Sequence, residues 1–123
     1  MTHFLLLGAI FAMIAVILGA FGAHALKDKF AEPRFAAVWE TAVQYQMYHA
    51  LGLLMVGIVG HEALLGASSL LSWAGYLLLT GIILFSGSLY ILAVTGIKKL
   101  GAITPIGGVL FISGWIVFII NLL

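Results

Sequence analysis

The chain has no cysteine and little charge, and each shortage excludes a class of protein. The lack of cysteine excludes disulfide bonds, thiolate metal sites and cysteine catalysis. Only 7% of the 123 residues are charged, whereas about a quarter of the residues of an ordinary soluble domain are charged. Too few charges remain to cover the surface of a water-soluble globule. The formal net charge of +1 leaves no polyanion-binding surface, so no nucleic acid partner is expected.

Apolar residues make up 64% of the chain, and the mean hydropathy is +1.27. Such a chain needs lipid around most of its surface. At about 20 residues per helical span, the length accommodates four spans with short connectors and no separate catalytic domain. The sequence therefore predicts an all-α fold, an integral membrane four-helix bundle that forms a single transmembrane domain over residues 1–123. The predicted spans are residues 4–25, 38–60, 70–95 and 104–122.

The first apolar run has a competing interpretation as a cleavable signal peptide. Ala23-His24-Ala25 has the small-x-small form of a cleavage site. However, no Lys or Arg precedes the run, which is also longer than the apolar region of about 7 to 15 residues that is typical of signal peptides. We therefore interpret it as the first span.

Charged residues gather in the first connector, between Lys27 and Arg34. This composition predicts a short interfacial segment between helices one and two. Pro33 favours the first turn of a helix, where its missing N–H is not needed, so we expect helix two to run from there to about Gly60. Such a helix is about 42 Å long against about 30 Å of hydrocarbon. Its first two turns then lie at the headgroups, and Trp39 lies at the interface.

All five Lys and Arg residues lie in the first and third connectors. Short loops rich in Lys and Arg stay in the cytoplasm. The distribution is self-consistent, because the first and third connectors of a four-span protein lie on the same side of the membrane. It predicts a multi-pass protein of the cell (plasma) membrane with both termini outside.

Small residues recur at heptad spacing in three of the spans. Close backbone approach along such positions drives helix association in lipid, where no hydrophobic effect acts between helices. The spacing predicts left-handed packing of the bundle. The positions are Gly8, Ala12, Ala15, Gly19 and Gly22 in span one, Gly81, Ser88 and Thr95 in span three, and Gly107, Gly114 and Asn121 in span four.

Helix two carries many polar side chains between Glu40 and His49, which cover roughly 240° of its circumference at about 100° per residue. A polar group in hydrocarbon needs a partner, so other helices, a second subunit or water must surround this segment. Four helices cannot enclose such an arc and also bury three seams of small residues. We therefore expect a homo-oligomer.

Polar and small residues of four segments fall in one layer near the cytoplasmic ends of the predicted helices, because adjacent helices run in opposite directions. We predict that this layer forms a polar pocket that opens to the cytoplasm. Pro105, Gly107 and Gly108 favour a pocket, because they clear side-chain volume and expose N–H groups at a helix start. The alternative is a dry network of hydrogen bonds between helices. The candidate pocket residues are Glu40, Tyr45, Gln46, His49, Ser86, Ser88, Tyr90, Thr104, Gly107 and Gly108.

Two histidines are candidate proton sites, because histidine titrates near neutral pH. His49 lies about 12 Å inside the hydrocarbon if the apolar core begins near Thr41, and His24 closes the first span. For His49, the alternative is a histidine that packs inside the bundle with its hydrogen bonds satisfied.

Short motifs of small, polar and aromatic residues recur along essentially the whole chain, at residues 19–26 (GAFGAHAL), 42–46 (AVQYQ), 49–51 (HAL), 85–90 (FSGSLY), 104–108 (TPIGG) and 114–115 (GW). In this order, they resemble the motifs of the domain-of-unknown-function 423 family. Members of this family are small four-span membrane proteins of bacteria, with animal relatives in the transmembrane protein 256 group. The resemblance implies a four-helix integral membrane protein and implies no activity.

The sequence shows packing positions and a few polar anchors, which suffice for a non-enzymatic membrane protein whose pocket binds a membrane lipid, a small ligand or a partner helix. The alternative is an oligomeric minimal transporter or channel for a proton, a cation or a small solute. A haem- or quinone-linked redox protein would need His24 and His49 at one depth, which their positions oppose. No enzyme motif or metal-ligand spacing is found, so we predict no catalytic residue, metal or cofactor.

Overall fold

The structure, a computed structural model, describes residues 1–123 and contains helices and no strand. Four helices are long and apolar enough to cross a membrane, which confirms the predicted all-α architecture. The third of them, Ser69–Thr95, is a continuous span made of α3, a π-helical turn and α4. The elements are α1 (Thr2–Ala23), α2 (Phe35–Val59), α3 (Ser69–Gly81), the π turn (Ile82–Ser86), α4 (Gly87–Thr95), a 3₁₀ helix (Lys98–Ala102) and α5 (Thr104–Leu122).

Helix α2 begins at Phe35, two residues later than the proline at position 33 predicts. The chain before it forms a turn in which the N–H of Phe35 donates to the carbonyl of Glu32, and the N–H of Ala36 to that of Pro33. These hydrogen bonds connect residues three positions apart and form a tighter turn than the four-position bonds of an α-helix. Pro33 therefore lies in the turn that leads into α2 and not in its first helical turn.

The two ends of the bundle differ in charge. One end, called the basic end below, holds the first and third connectors with all five Lys and Arg residues. The other end, called the terminal end, holds both chain termini and the second connector, residues 60–68. At the terminal end, the Ser68 hydroxyl accepts from the N–H of Leu71 and donates to Asn121 over 2.6 Å. This pair caps α3 and ties the second connector to the end of α5.

Helices α1 and α2 pack as antiparallel neighbours along the small residues of α1. Gly8 lies against the backbone of Ala50, where an added Cβ would be 2.8 Å from the carbonyl oxygen. Further along, Gly19 lies against Val43 and Gly22 against the indole of Trp39. The seam predicted from the heptad spacing of span one is confirmed at these positions, because each glycine lets α2 approach more closely than a side chain would allow.

The seams of the third span and of α5 pack against each other. Gly81 of α3 faces the ring of Phe111, and Gly114 of α5 faces Leu78. At Gly107 the contact is with backbone, since an added Cβ would be 2.8 Å from the Cα of Phe85. Small and large residues therefore alternate across this antiparallel pair of helices.

The apolar core is divided into two parts by polar side chains. Eight buried residues, with Phe4, Leu53 and Leu78 among them, form a cluster toward the terminal end. Phe35, Trp39 and Ala93 form a smaller cluster at the basic end. Between them lie the buried polar side chains Gln46, His49, Ser86 and Ser88.

Candidate functional site

The middle of the bundle contains a π-helical turn, Ile82–Ser86, where the sequence predicts an uninterrupted helix. A π turn contains one residue more than the α-helical path and is frequent at functional sites. Here it lies where Gly107 of α5 meets the backbone of Phe85. The only signal in the sequence is the Ser86-Gly87-Ser88 stretch inside an apolar span, and it does not specify the turn.

Gln46 hydrogen-bonds to two other helices. Its Nε2 donates to the carbonyl of Phe11 in α1 over 2.8 Å, and its Oε1 accepts from the hydroxyl of Tyr90 in α4 over 2.7 Å. The side chain is only 3% exposed. Gln46 therefore connects α1, α2 and α4 at one level of the bundle.

The serines of the third span connect it to α2 and α5. Ser86 is fully buried, and its hydroxyl donates to the carbonyl of Ala42 over 2.7 Å. Ser88 and Thr104 share a hydrogen bond of 2.6 Å between their hydroxyl oxygens. We call the side chains of Gln46, Ser86, Ser88, Tyr90 and Thr104 the polar network.

His49 packs against aromatic rings next to this network. Its Nδ1 lies 2.7 Å from the carbonyl oxygen of Tyr45. A carbonyl can only accept, so Nδ1 carries a hydrogen and donates to it. The imidazole stacks on Phe111 with ring centroids 3.5 Å apart and an angle of 10° between the planes. Throughout the bundle, no buried side-chain nitrogen or oxygen lacks a hydrogen-bond partner.

The two candidate proton sites lie far apart. Gln46, one turn from His49, bonds to the carbonyl of Phe11, while His24 lies 13 residues further along the chain than Phe11. Along a helix that separation corresponds to about 20 Å. His24 is exposed at the end of α1. The structure therefore does not bring the two imidazoles together.

A groove of about 440 Å³ lies between α1 and α2 at the basic end. Trp39 forms part of its wall, and the indole Nε1 of this residue donates to the carbonyl of Leu18 over 2.9 Å. The indole lies directly against Gly22, and any larger residue at position 22 would overlap the ring. The lining residues are Gly19, Gly22, Ala23, Ala36, Trp39, Glu40, Val43 and Gln44. We call this cavity the α1/α2 groove.

Glu40 is the one candidate pocket residue that lines the α1/α2 groove. Tyr45 is 39% exposed, and its ring stacks on Phe85 with centroids 4.6 Å apart. The backbone of Phe85 occupies the space beside Gly107 where a side chain would lie. Beside Gly108 the nearest atom is a ring carbon of Phe85 at 4.0 Å. The other candidates are His49 and the members of the polar network, described above.

The sequence did not predict that Ala23, Ala36, Val43 and Gln44 line a groove. Gly19 and Gly22 are recognisable as seam positions, but heptad spacing does not tell a packed glycine from one that lines a groove. The four-residue spacing of Glu40 and Gln44 places both on one side of α2, which is the single signal that could have located this groove.

Four apolar helices pack around buried polar side chains, and this architecture defines a small integral membrane protein. The chain belongs to the family described as protein of unknown function (DUF423), whose model matches residues 18–108. This region contains both the α1/α2 groove and the polar network. The resemblance inferred from the sequence motifs is thereby confirmed.

Similar proteins carry names that describe location only. The chain is 54% identical to a UPF0382 membrane protein of Staphylococcus epidermidis (strain ATCC 12228 / FDA PCI 1200), over 98% of this chain and 94% of that protein. It is 54% identical to the UPF0382 membrane protein YwdK of Bacillus subtilis (strain 168), over 98% and 95% of the two chains. It is 56% identical to a UPF0382 membrane protein of Staphylococcus aureus (strain USA300), over 98% and 94%. No solved structure matches the chain.

Proposed function

We propose that this protein acts by binding and not by catalysis, and that its α1/α2 groove holds the headgroup of a membrane lipid that carries a primary ammonium. The observation that carries the proposal is the carboxylate of Glu40 in the wall of the groove. Glu40 is exposed, and the one ion pair within the chain joins Arg34 to Glu32 instead. A lipid ammonium would supply the missing partner through a charge-assisted hydrogen bond.

The depth of Glu40 suits a headgroup. Gly22 lies against Trp39, so the next residue of α2 is level with the last turn of α1, which ends at Ala23. A helix of 22 residues is about 33 Å long, close to the hydrocarbon thickness, so its last turn lies near the headgroup region. A carboxylate at that level can reach the ammonium of a lipid whose acyl chains remain in the bilayer.

The rest of the groove supports an amphiphile. Gly19, Gly22 and Ala36 leave the volume open, and Val43 offers an apolar contact for the upper acyl chain. Lysines at positions 27 and 29, in the connector directly after α1, favour an anionic phosphate nearby.

The same proposal includes an orientation. All five Lys and Arg residues lie at the basic end, and short loops rich in these residues stay in the cytoplasm. We place the basic end in the cytoplasm and both termini outside the plasma membrane. The α1/α2 groove then faces the inner leaflet.

The proposal is tested by native mass spectrometry of the protein released from nanodiscs that contain equal amounts of phosphatidylethanolamine and phosphatidylcholine. Both headgroups are cationic at nitrogen, but only the first has N–H donors. We expect preferential retention of phosphatidylethanolamine, and loss of this preference in Glu40→Gln. The matched control is Glu62→Gln in the second connector, at the terminal end, which should keep the preference.

A second pair of variants tests the groove itself. Ala36→Trp places an indole in the groove and should reduce retention of phosphatidylethanolamine, whereas Ala9→Trp on the exposed side of α1 should not. Equal retention of the two lipids by the wild-type protein contradicts the proposal. An undiminished preference in Glu40→Gln contradicts it as well.

A further inference from the structure

The outer side of α2, between α1 and α5, is unlike the exposed surfaces of those two helices. Its exposed residues fall within one third of the helix circumference at about 100° per residue. They are polar toward the basic end and apolar toward the terminal end. We call the part of this surface below Glu40 the α2 face; its residues are Gln44, Tyr48, Leu51, Met55 and Ile58.

Tyr48 lies at the middle depth of the bundle. Helix α2 meets Gly19 of α1 at Val43 and Gly8 at Ala50, so Tyr48 is level with the centre of α1. Its side chain is 55% exposed. A tyrosine in a membrane protein normally lies at the interface, where its hydroxyl meets water. At this depth the hydroxyl faces hydrocarbon in a single copy of the chain.

The polar groups of the α2 face have no partner within the chain. Of the four tyrosine hydroxyls, those of Tyr76 and Tyr90 reach a hydrogen-bonding partner, whereas those of Tyr48 and of Tyr45, outside the α2 face, do not. The amide of Gln46 is bonded at both ends, whereas that of Gln44 is bonded at neither. An unpaired polar group in hydrocarbon is unfavourable by a few kcal/mol, and acyl chains offer it neither donor nor acceptor.

The exposed surfaces of α1 and α5 show what a lipid-facing side of this protein looks like. They carry aliphatic side chains and methionine at the same depth and need no partner in hydrocarbon. Their exposed side chains include Leu6, Ile10, Met13, Val16 and Ile17 on α1, and Ile106, Val109, Ile112, Ile116 and Ile119 on α5. The α2 face is therefore a different kind of surface, suited to a protein partner.

We infer that the α2 face binds the α2 face of a second copy of this chain in a two-fold symmetric dimer. An amide and a phenol hydroxyl each donate and accept, so Gln44 and Tyr48 complement their own copies across a two-fold axis. Two copies inserted in the same direction present these groups at equal depth. Leu51, Met55 and Ile58 continue the contact toward the terminal end and pack against their counterparts.

The dimer is tested by single cysteines, which the chain lacks otherwise. Each of Tyr48→Cys, Leu51→Cys and Met55→Cys is expressed in native membranes and treated with a mild oxidant. We expect disulfide-linked dimers from these variants on non-reducing gels. The controls Met13→Cys and Ile112→Cys are at least as exposed, on α1 and α5, and should remain monomeric.

A second measurement separates specific pairing from random collision. Energy transfer between labelled copies in vesicles, followed as lipid dilutes the protein, gives a dimer dissociation constant. We expect the double variant Gln44→Leu with Tyr48→Phe to raise this constant by about tenfold. Neither side chain bonds within its own chain, so the fold should be retained, and Tyr76→Phe on the third span should leave the constant unchanged.

Three results overturn the inference. They are equal cross-linking at the α1 or α5 positions, no cross-linking at the α2 positions, and an unchanged dissociation constant in the double variant. The inference does not depend on the proposed lipid site, because Glu40→Gln is expected to lose lipid selectivity and to cross-link as before.

Discussion

Gln44 and Gln46 lie two residues apart on α2 and have opposite environments. Gln46 is buried and bonded to Phe11 and Tyr90, whereas Gln44 is exposed at the edge of the α1/α2 groove. Two positions correspond to about 200° of rotation around a helix, which turns one amide into the bundle and the other out of it. The two residues form a matched pair for measuring what the polar network contributes to stability.

Gln46→Leu is expected to lower the free energy of unfolding by about 1 to 3 kcal/mol, because it removes two hydrogen bonds and leaves the Tyr90 hydroxyl without its acceptor. The measurement is unfolding by sodium dodecyl sulfate, followed by circular dichroism, at a detergent ratio that keeps the protein monomeric. Gln44→Leu is the control and should change stability by less than about 0.5 kcal/mol. Similar losses from both variants would show that the network does not stabilise the fold.

His49 illustrates how a polar residue is accommodated deep in the bundle. Its Nδ1 bonds to the Tyr45 carbonyl one turn earlier on the same helix, and its ring stacks on Phe111 of α5. The backbone carbonyl thus holds Nδ1 as a donor, and the aromatic contact fixes the orientation of the ring. The sequence places His49 at depth but contains nothing that selects Phe111, 62 positions further along the chain, as its neighbour.

At the scale of the elements, glycine determines how closely helices approach. Gly107 and Gly108 are adjacent on α5, but only the first faces the π turn at contact distance. Within the π turn, the backbone of Phe85 lies against α5, and the glycine opposite accommodates it. The heptad spacing of Gly107 and Gly114 predicted a helix contact, but not a contact with an irregular turn.

Gly107→Ala is expected to destabilise the bundle by about 1 to 3 kcal/mol, since the added methyl would lie 2.8 Å from the Cα of Phe85, where backbone has to shift. Gly108→Ala should change stability by less than about 1 kcal/mol, because the nearest atom is a ring carbon of Phe85 at 4.0 Å. Thermal unfolding in one detergent compares the two variants. Equal effects would mean that α5 does not pack on the π turn through Gly107.

At the scale of the whole molecule, every charged side chain except Glu40 of α2 lies in a connector, while the two core clusters and the polar network lie within the spans. The five Lys and Arg residues mark one end, and the residues that line the α1/α2 groove lie near that end. The orientation of the chain therefore decides which leaflet the groove faces. This makes topology the first property of the intact protein to measure.

We expect both termini and the second connector to lie outside the cell, because Lys and Arg are absent from them. Single cysteines at Ala67 and Lys98 are probed with a membrane-impermeant maleimide. The cysteine at position 67 should react in intact cells, and the one at position 98 only after permeabilisation. The reverse pattern would place the basic end outside and overturn the proposed orientation of the groove.

Several features follow from the order of residues along the chain. The number of spans depends on how many apolar runs are long enough to cross a membrane, and the structure contains the four helices of this kind that the sequence predicts. The packing of Gly8, Gly19 and Gly22 on α2 follows from their spacing, because a heptad repeat places them on one side of α1. These are properties of a helix considered alone, so a single sequence determines them.

The tertiary structure decided where the polar side chains point and where the groove lies. Glu40 lines the groove and Tyr45, five positions further along α2, stacks on Phe85. The sequence pattern places both residues in one polar arc. Which side of that arc is buried depends on where α1, α4 and α5 cross α2. Gln46 finds its partners 35 and 44 positions away along the chain. Hydropathy and periodicity describe each helix in isolation, whereas burial is a property of the helices that surround it.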